Sequence, residues 1–556
     1  MTTTPSSRRW WALFGVVLAV SSGAVWMAFN PAPHTGGDNA GYITLAYSLL
    51  KNGTYTELFD PAHPPHTKYP PVFPALLAGL MALGARTWVS LKAVSMLSTV
   101  GAAVLTYAWA ERRVGAWWGA GVGLLLGLAS AVIYYSHWVL SDPSFLFFTV
   151  TALWALERAD EEQAGPGWLA LGVISAGLAY FTRSAGLPLV LALLGWLAVR
   201  RRFRALLASS LTLGVPALLW MLRARGPGTA DYSAEFWLVD PYDPSLGRVG
   251  VVGLLGRALT NAQGYVGTHL PGGIVGGRGG LVAALGVALL ALAVVGWIRR
   301  GRTRVGPAEI FLPLYAGLIL LWPTVWSGDR FVLPLYPVLF IYAASALKGV
   351  CEPRGRTVAA GVGLAAFLML AVPAARSWSG AMQEAQACAA AVRVGGPFAC
   401  YGARVAGFVE AAEWSGANLP EGASVLTRKP RIFYVLSGVP SRTFPFDEKS
   451  EAHLALAESL GSRYELVDQW DGQAGRFVVA AVRSDPGAFC AVRGFGADGG
   501  TQLLGILPSD LRGQGIVSDD GSVRIGSCPA SYVRGEGDAP YDPSSSIIPL
   551  LAGLDP

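Results

Sequence analysis

Apolar residues run along this chain in long, nearly unbroken blocks. Blocks able to cross about 30 Å of hydrocarbon fall near residues 10–29, 88–110, 115–136, 143–158, 167–182, 184–199, 205–222, 281–298, 307–326, 331–347 and 357–376. They predict eleven transmembrane helices, with no broken-helix pair and no inverted symmetry between halves. One further block, "PPVFPALLAGLMALG" at 70–84, is too short to cross and reads as interfacial or re-entrant. The stretch "NAGYITLAYSLLKNG" after Asp38 has a different pattern. Tyr42, Ile43, Ala46, Leu49 and Leu50 form one helical stripe, and Asn39, Thr44, Ser48 and Lys51 face the other way. This predicts an amphipathic helix lying flat on the membrane, with Asp38 placed to cap its start and Gly53 its end.

Composition supports the membrane reading: 53% of the 556 residues are hydrophobic, 14% are charged, and the mean hydropathy is +0.43. The net charge of +6 does not point to nucleic acid, because Lys and Arg cluster in short segments between apolar blocks. "ERR" (111–113), "RRRFR" (200–204), "RRGRTR" (299–304) and "KGVCEPRGR" (348–356) all fall on the side of Arg8 when 70–84 is not counted as a span. The positive-inside rule then places the N-terminus in the cytoplasm, and the first block reads as a retained anchor. The larger outer pieces are loops 30–87 and 223–280 and a tail. The domain reading is a transmembrane part, 1–376, and an exocytoplasmic α/β domain, 377–556, in which "ASVLTRK", "RYELVDQ" and "RFVVAAVRS" suit strands.

The five cysteines divide unequally. Cys351 lies in an inner loop, and Cys388, Cys400, Cys490 and Cys528 lie in the tail. Thiols in an oxidising compartment tend to pair. Of three possible connectivities, the pairs nearest in sequence, Cys388 with Cys400 and Cys490 with Cys528, are favoured; the alternative is that some remain free.

Ionisable residues are nearly absent from the middles of the apolar blocks, so no ion or proton path is visible. Asp38, Lys68, Lys92, Asp142, Arg183, Asp329 and Arg330 instead gather at the outer helix ends, a depth suited to a lipid phosphate. Each has a simpler role available. Ser141 or Asp142 can cap a helix that has Pro143 in its first turn, Arg183 and Arg330 can anchor helix ends by snorkelling, and Lys68 can be a solvated loop lysine. The arginines are the only basic residues of short outer turns, where topology requires none. His34, His63, His66 and His269 make no metal-ligand spacing with nearby carboxylates, and no metal ligands are assigned. A Walker loop, a dinucleotide fingerprint and a Gly-x-Ser-x-Gly elbow are all absent from the sequence.

In order along the chain, "GGDNAGYITLAYSLL", "HTKYPPVFPALLAGLMALG", "LSDPSFLFF", "LAYFTRSAGLPLVLALL" and "DRFVLPLYPVLFIYAA" resemble the C-type (GT-C) membrane glycosyltransferases. The likeness is to the group of protein O-mannosyltransferases and lipid A aminoarabinose transferases, and it covers roughly residues 8–376. The tail segment "EWSGANLPEGASVLTRKPRIFYVLSGVPSRTFPF" is similar to one that opens the exocytoplasmic domain of many bacterial relatives. The resemblance implies a mainly α, polytopic membrane enzyme of the bacterial plasma membrane. It would move a sugar from a polyprenyl-phosphate donor to a protein, lipid or glycan acceptor on the outer face.

In that family the carboxylate of the first outer loop is the catalytic acid-base group, and Asp38 occupies its place. Where many relatives carry a second acid, this chain has Asn39. Asp142 matches the outer-turn acid between the third and fourth helices, near the family's site, and is the second catalytic candidate, placed to orient the acceptor or a cation. Lys68, Arg183 and Arg330 become candidates for the donor phosphate, and Tyr42, Tyr69 and His66 for substrate contacts. No organic cofactor is implied, and there is room for a divalent cation. Two other classes fit the topology: a flippase or transporter for lipid-linked sugars, and a non-catalytic anchor presenting the tail as a binding domain.

Overall fold

The computed structural model describes residues 7–161, 165–223, 232–241, 246–497, 499–513, 516–517, 523–534, 548–552 and 554. All eleven predicted blocks are helical. Among the described residues six helices are long and apolar enough to cross a bilayer alone: Arg8–Met27, Trp88–Val114, Phe203–Arg223, Gly280–Thr303, Asp329–Arg354 and Arg356–Gly395. The block at 115–136 corrects the expectation of unbroken helices, since it bends by 54° between Ala116–Leu128 and Ser130–Ser136. Asp142–Ala159, Pro166–Thr182, Leu187–Val199 and Pro307–Leu321 complete the set with 18, 17, 13 and 15 residues. Val72–Ala82, with eleven residues, is short as expected.

The chain divides into two compact units. The first joins Met1–Phe29, Thr67–Phe73 and Lys92–Ala385; the second joins Asn30–His66, Pro74–Leu91 and Gln386–Pro556. The helix Arg356–Gly395 runs without interruption through position 377, where the composition changes. The first unit is built on a core that includes Trp109, Phe145, Trp196, Phe311, Tyr315 and Tyr336. Gly123 and Gly127 let the helix Ala116–Leu128 approach its neighbours: a Cβ would come within 2.9 Å of Tyr107 at the first and 2.2 Å of the Ser21 hydroxyl at the second. Small residues are used this way where helices pack in lipid. The opposite case is Phe203–Arg223, whose Leu207, Leu211, Leu218 and Leu219 are exposed, a surface suited to hydrocarbon.

The second unit contains a five-stranded sheet of β1 (Val425–Leu426), β2 (Ser441–Arg442), β3 (Tyr464–Val467), β4 (Phe489–Phe495) and β5 (Thr501–Ile506), in the order β2-β1-β3-β5-β4. β1 runs parallel to β2 and β3, and β5 pairs antiparallel with β3 and β4. "ASVLTRK" and "RYELVDQ" contain β1 and β3 as predicted. "RFVVAAVRS" lies instead in the helix Gln473–Ser484. Its buried residues Ala474, Phe477, Val478, Ala481 and Val482 follow helical spacing, and packing against Leu426, Phe444 and Leu504 overrides the β preference of the valines. Disulfides join Cys388 to Cys400 and Cys490 to Cys528, and Cys351 is free and buried, as proximity in sequence favours.

Candidate active site

The helix Asp142–Ala159 begins one residue earlier than a capping role for Asp142 requires. Ser141 stands at the N-cap without a side-chain cap bond, and Pro143 follows in the first turn. The Asp142 carboxylate, 3% exposed, holds two guanidinium groups instead. Arg183 Nη1 lies 2.9 Å from Oδ1, and Arg330 Nη2 lies 2.9 Å from Oδ2 with Nε 3.2 Å from Oδ1. Arg183 also donates to the Ser141 hydroxyl at 3.2 Å. Both guanidinium groups flank the Phe331 ring, at 5.6 and 5.8 Å from its centroid.

Arg183 sits just after the helix Pro166–Thr182 and Arg330 just before the helix Tyr336–Cys351, so three elements converge on one acid. The result is a cluster in which two guanidinium groups share one buried carboxylate. Its neighbour Asp329 accepts a hydrogen bond from the Tyr135 hydroxyl at 2.8 Å. The simple snorkelling role of the two arginines is replaced by this charge-paired arrangement.

Lys68 is held by Glu235 at 2.9 Å and lies 5.2 Å from the Trp326 ring centroid. Sequence reasoning missed Glu235 because 167 residues separate the pair. Lys92 is fully buried, with its ammonium 4.8 Å from the Trp138 ring centroid and 5.4 Å from that of Phe29. The cue was present in "SLKAVS" and "HWVLSD", a lysine and an indole at neighbouring helix ends. Tyr69 is buried in the same unit.

Asp38, Tyr42 and His66 belong to the second unit. The helix there is Gly37–Asn52, so Asp38 is in its first turn and Gly36 takes the N-cap position. The Gly36 amide donates to His34 Nδ1 at 2.9 Å, which corrects the capping role given to Asp38. A carboxylate in the first turn remains favoured by the helix dipole. Asp38 itself is half-buried. Gly53 ends the helix in the left-handed conformation, φ 64°, as expected.

The amphipathic pattern fails here, since Asn39, Thr44 and Ser48 are buried as well as Tyr42, Ile43 and Ala46. Thr44 donates to the Gly41 carbonyl, and Ser48 bonds Thr54 and Thr56. The Thr44 and Ser48 hydroxyls are satisfied by protein, and Lys51 near the end of the helix is exposed. His66 is 2% exposed, with Nδ1 2.7 Å from Glu57 Oε1.

A divalent cation would need a set of hard oxygen or imidazole donors. Among the described residues no group of three or more His, Cys, Asp or Glu comes together, the Asp142 carboxylate is taken by two arginines, and Asn39 replaces a possible second acid. These residues do not make a divalent-cation site.

Residues 68–223 match the family model described as dolichyl-phosphate-mannose-protein mannosyltransferase. No curated protein matches the chain in sequence. Solved structures match over most of its length. ArnT from Cupriavidus metallidurans in the apo state superposes with a TM-score of 0.57 at 14% identity, covering 92% of this chain and 100% of that one. The same enzyme bound to undecaprenyl phosphate gives 0.54 at 16% identity, with 91% and 99% covered. The oligosaccharyltransferase AglB from Archaeoglobus fulgidus, in complex with an inhibitory peptide and a dolichol-phosphate, gives 0.56 at 13% identity, with 97% and 77% covered. The chain has the GT-C membrane-glycosyltransferase fold, mainly α, with an α/β region in the second unit.

Proposed function

We propose that this protein transfers a sugar from a polyprenyl-phosphate donor to an acceptor on the outer face of a bacterial plasma membrane. The observation that carries the reading is the cluster of Arg183 and Arg330 on the buried Asp142, two cations fixed at helix ends. The family match over 68–223 spans Lys68, Asp142 and Arg183, and two proteins of the same fold hold polyprenyl phosphates. Two disulfides in the tail and a free thiol at Cys351 suit a tail in an oxidising compartment.

In the proposed reaction the bond between the anomeric carbon and the phosphate oxygen breaks while an acceptor oxygen bonds to that carbon. Charge builds on the leaving phosphate, so cations there stabilise the transition state more than the ground state. Arg183 and Arg330 supply that charge, with Lys68 in support. Asp38 takes the proton released by the acceptor, and polyprenyl phosphate leaves.

Membranes containing the protein, incubated with radiolabelled polyprenyl-phosphate sugars, should pass label to a protein, lipid or glycan fraction. Label that remains on the donor in every fraction would support the flippase or anchor readings. Asp38→Asn should lower transfer by about 10²- to 10⁴-fold, the usual worth of general base catalysis, without loss of folded protein. Near-normal turnover in that variant would remove Asp38 from the reaction.

A further inference from the structure

The loop bearing Asp38 folds with the tail, in the same compact unit, and the contacts that hold it can be traced. Past the end of the Gly37–Asn52 helix, Ser48 Oγ lies 3.0 Å from the Thr54 hydroxyl and carbonyl and 3.2 Å from the Thr56 hydroxyl. These residues begin a hairpin-like loop in which Glu57 N–H donates to the Pro64 carbonyl at 2.9 Å and His66 N–H to the Tyr55 carbonyl at 3.0 Å. The tip of that loop meets the tail. The Phe59 carbonyl accepts the amide of Ser441 at the start of β2. Arg442 Nη1 lies 3.6 Å from Asp60 Oδ2, and the Arg431 guanidinium lies 5.3 Å from the Phe59 ring centroid.

The electrostatics agree with this contact. Burial acts to raise the Glu57 pKa, yet the hydrogen bond to His66 and the charges of Arg431, His66 and Arg442 outweigh it and hold the carboxyl below its ordinary value. Ahead of the helix start at Gly37, the Tyr401 hydroxyl donates to the Pro33 carbonyl at 2.7 Å. Tyr401 directly follows Cys400 of the Cys388–Cys400 disulfide.

We propose that Tyr401, Arg431 and Arg442 are positioning residues for Asp38, which makes the tail part of the catalytic apparatus; the inference rests on Asp38 being the base. The Arg442–Asp60 pair is long and its arginine is 45% exposed, so it adds little to stability. Its loss should disturb placement more than folding. A reacting group displaced by about 1 Å can cost on the order of 100-fold in rate.

The test uses the full chain in lipid discs. In Arg431→Ala/Arg442→Ala, amide hydrogen exchange across 37–52 should speed by about tenfold, reporting local opening, while β3 and β5 keep their protection. With it, kcat should fall by roughly 100-fold at unchanged acceptor KM. The exchanged pair Arg442→Asp/Asp60→Arg should recover rate relative to Arg442→Asp alone. If the double variant does not fold, Tyr401→Phe should give the same local signature. Unchanged exchange across 37–52 in these variants overturns the proposal. Faster exchange there, combined with an active Asp38→Asn variant, would uphold the clamp and sink only the assignment of the base.

Discussion

The two ends of the helix Asp142–Ala159 carry the same chemical groups in opposite proportion. At the start, one carboxylate is shared by two guanidinium groups, those of Arg183 and Arg330. At the finish, one guanidinium is shared by two carboxylates: Arg113 bonds Glu157 through Nε at 2.9 Å and Glu309 at 3.1 Å. There the remaining acceptors are also filled, by Trp109 Nε1 on Glu157 at 2.8 Å and by the Tyr342 hydroxyl and the Gly306 amide on Glu309 at 2.6 and 2.8 Å. The second network is closed and has no call for an anion. The first gathers two cations about one acid. Asp160 also holds two arginines, Arg200 and Arg304, but both belong to the basic segments 200–204 and 299–304. The lesson is that an ion cluster points to function through the sign it gathers and the place it occupies, more than through burial alone.

The comparison breaks first at the closed end. Arg113→Ala leaves the buried Glu309 and the partly buried Glu157 without their cation and should cost about 3–5 kcal/mol of stability, read as a lowered melting temperature in detergent. Affinity for polyprenyl phosphate should stay the same in the fraction still folded. A loss of affinity without a loss of stability would mean that the two ends are not separate in role.

Asp142→Asn sharpens the contrast at the open end. The amide still accepts a hydrogen bond but no longer neutralises the arginines, so stability should fall by about 1–3 kcal/mol. Phosphate affinity should hold or improve, because a competing anion has gone. Weaker phosphate binding in this variant would show that Asp142 orders the arginines more than it competes with the ligand. The smallest effect is expected at Lys68, already engaged by Glu235 and Trp326. Lys68→Gln should change donor affinity by less than about 1 kcal/mol, measured by titration beside the wild type.

What could be read in the sequence follows physical range. The eleven apolar blocks became helices because a spanning segment satisfies its own backbone hydrogen bonds, and Gly53 and the disulfide partners are local choices. The bend after Leu128 was missed because Gly127 beside it reads as one more packing glycine of a membrane helix, whereas Ala129 turns the chain with an extended ψ of 130°. The helix Gly37–Asn52 misled because its polar stripe suggests solvent, whereas Ser48 and Thr44 satisfy their hydroxyls within the fold. Arg183 and Arg330 were visible as unexplained charges. Their shared partner was not, because Asp142 and Arg330 are 188 residues apart. The contact of Asp60 with Arg442 was hidden for the same reason.

The claim that the pair of Arg183 and Arg330 receives the donor phosphate can be measured without knowing the sugar or the acceptor. Polyprenyl phosphate is titrated into wild type, Arg183→Gln and Arg330→Gln in one detergent. Hydrogen bonds between charged partners contribute about 1.5–3 kcal/mol, so each variant should bind about 10- to 100-fold more weakly. Equal affinity in all three proteins would contradict the account and return both arginines to a structural task beside Asp142.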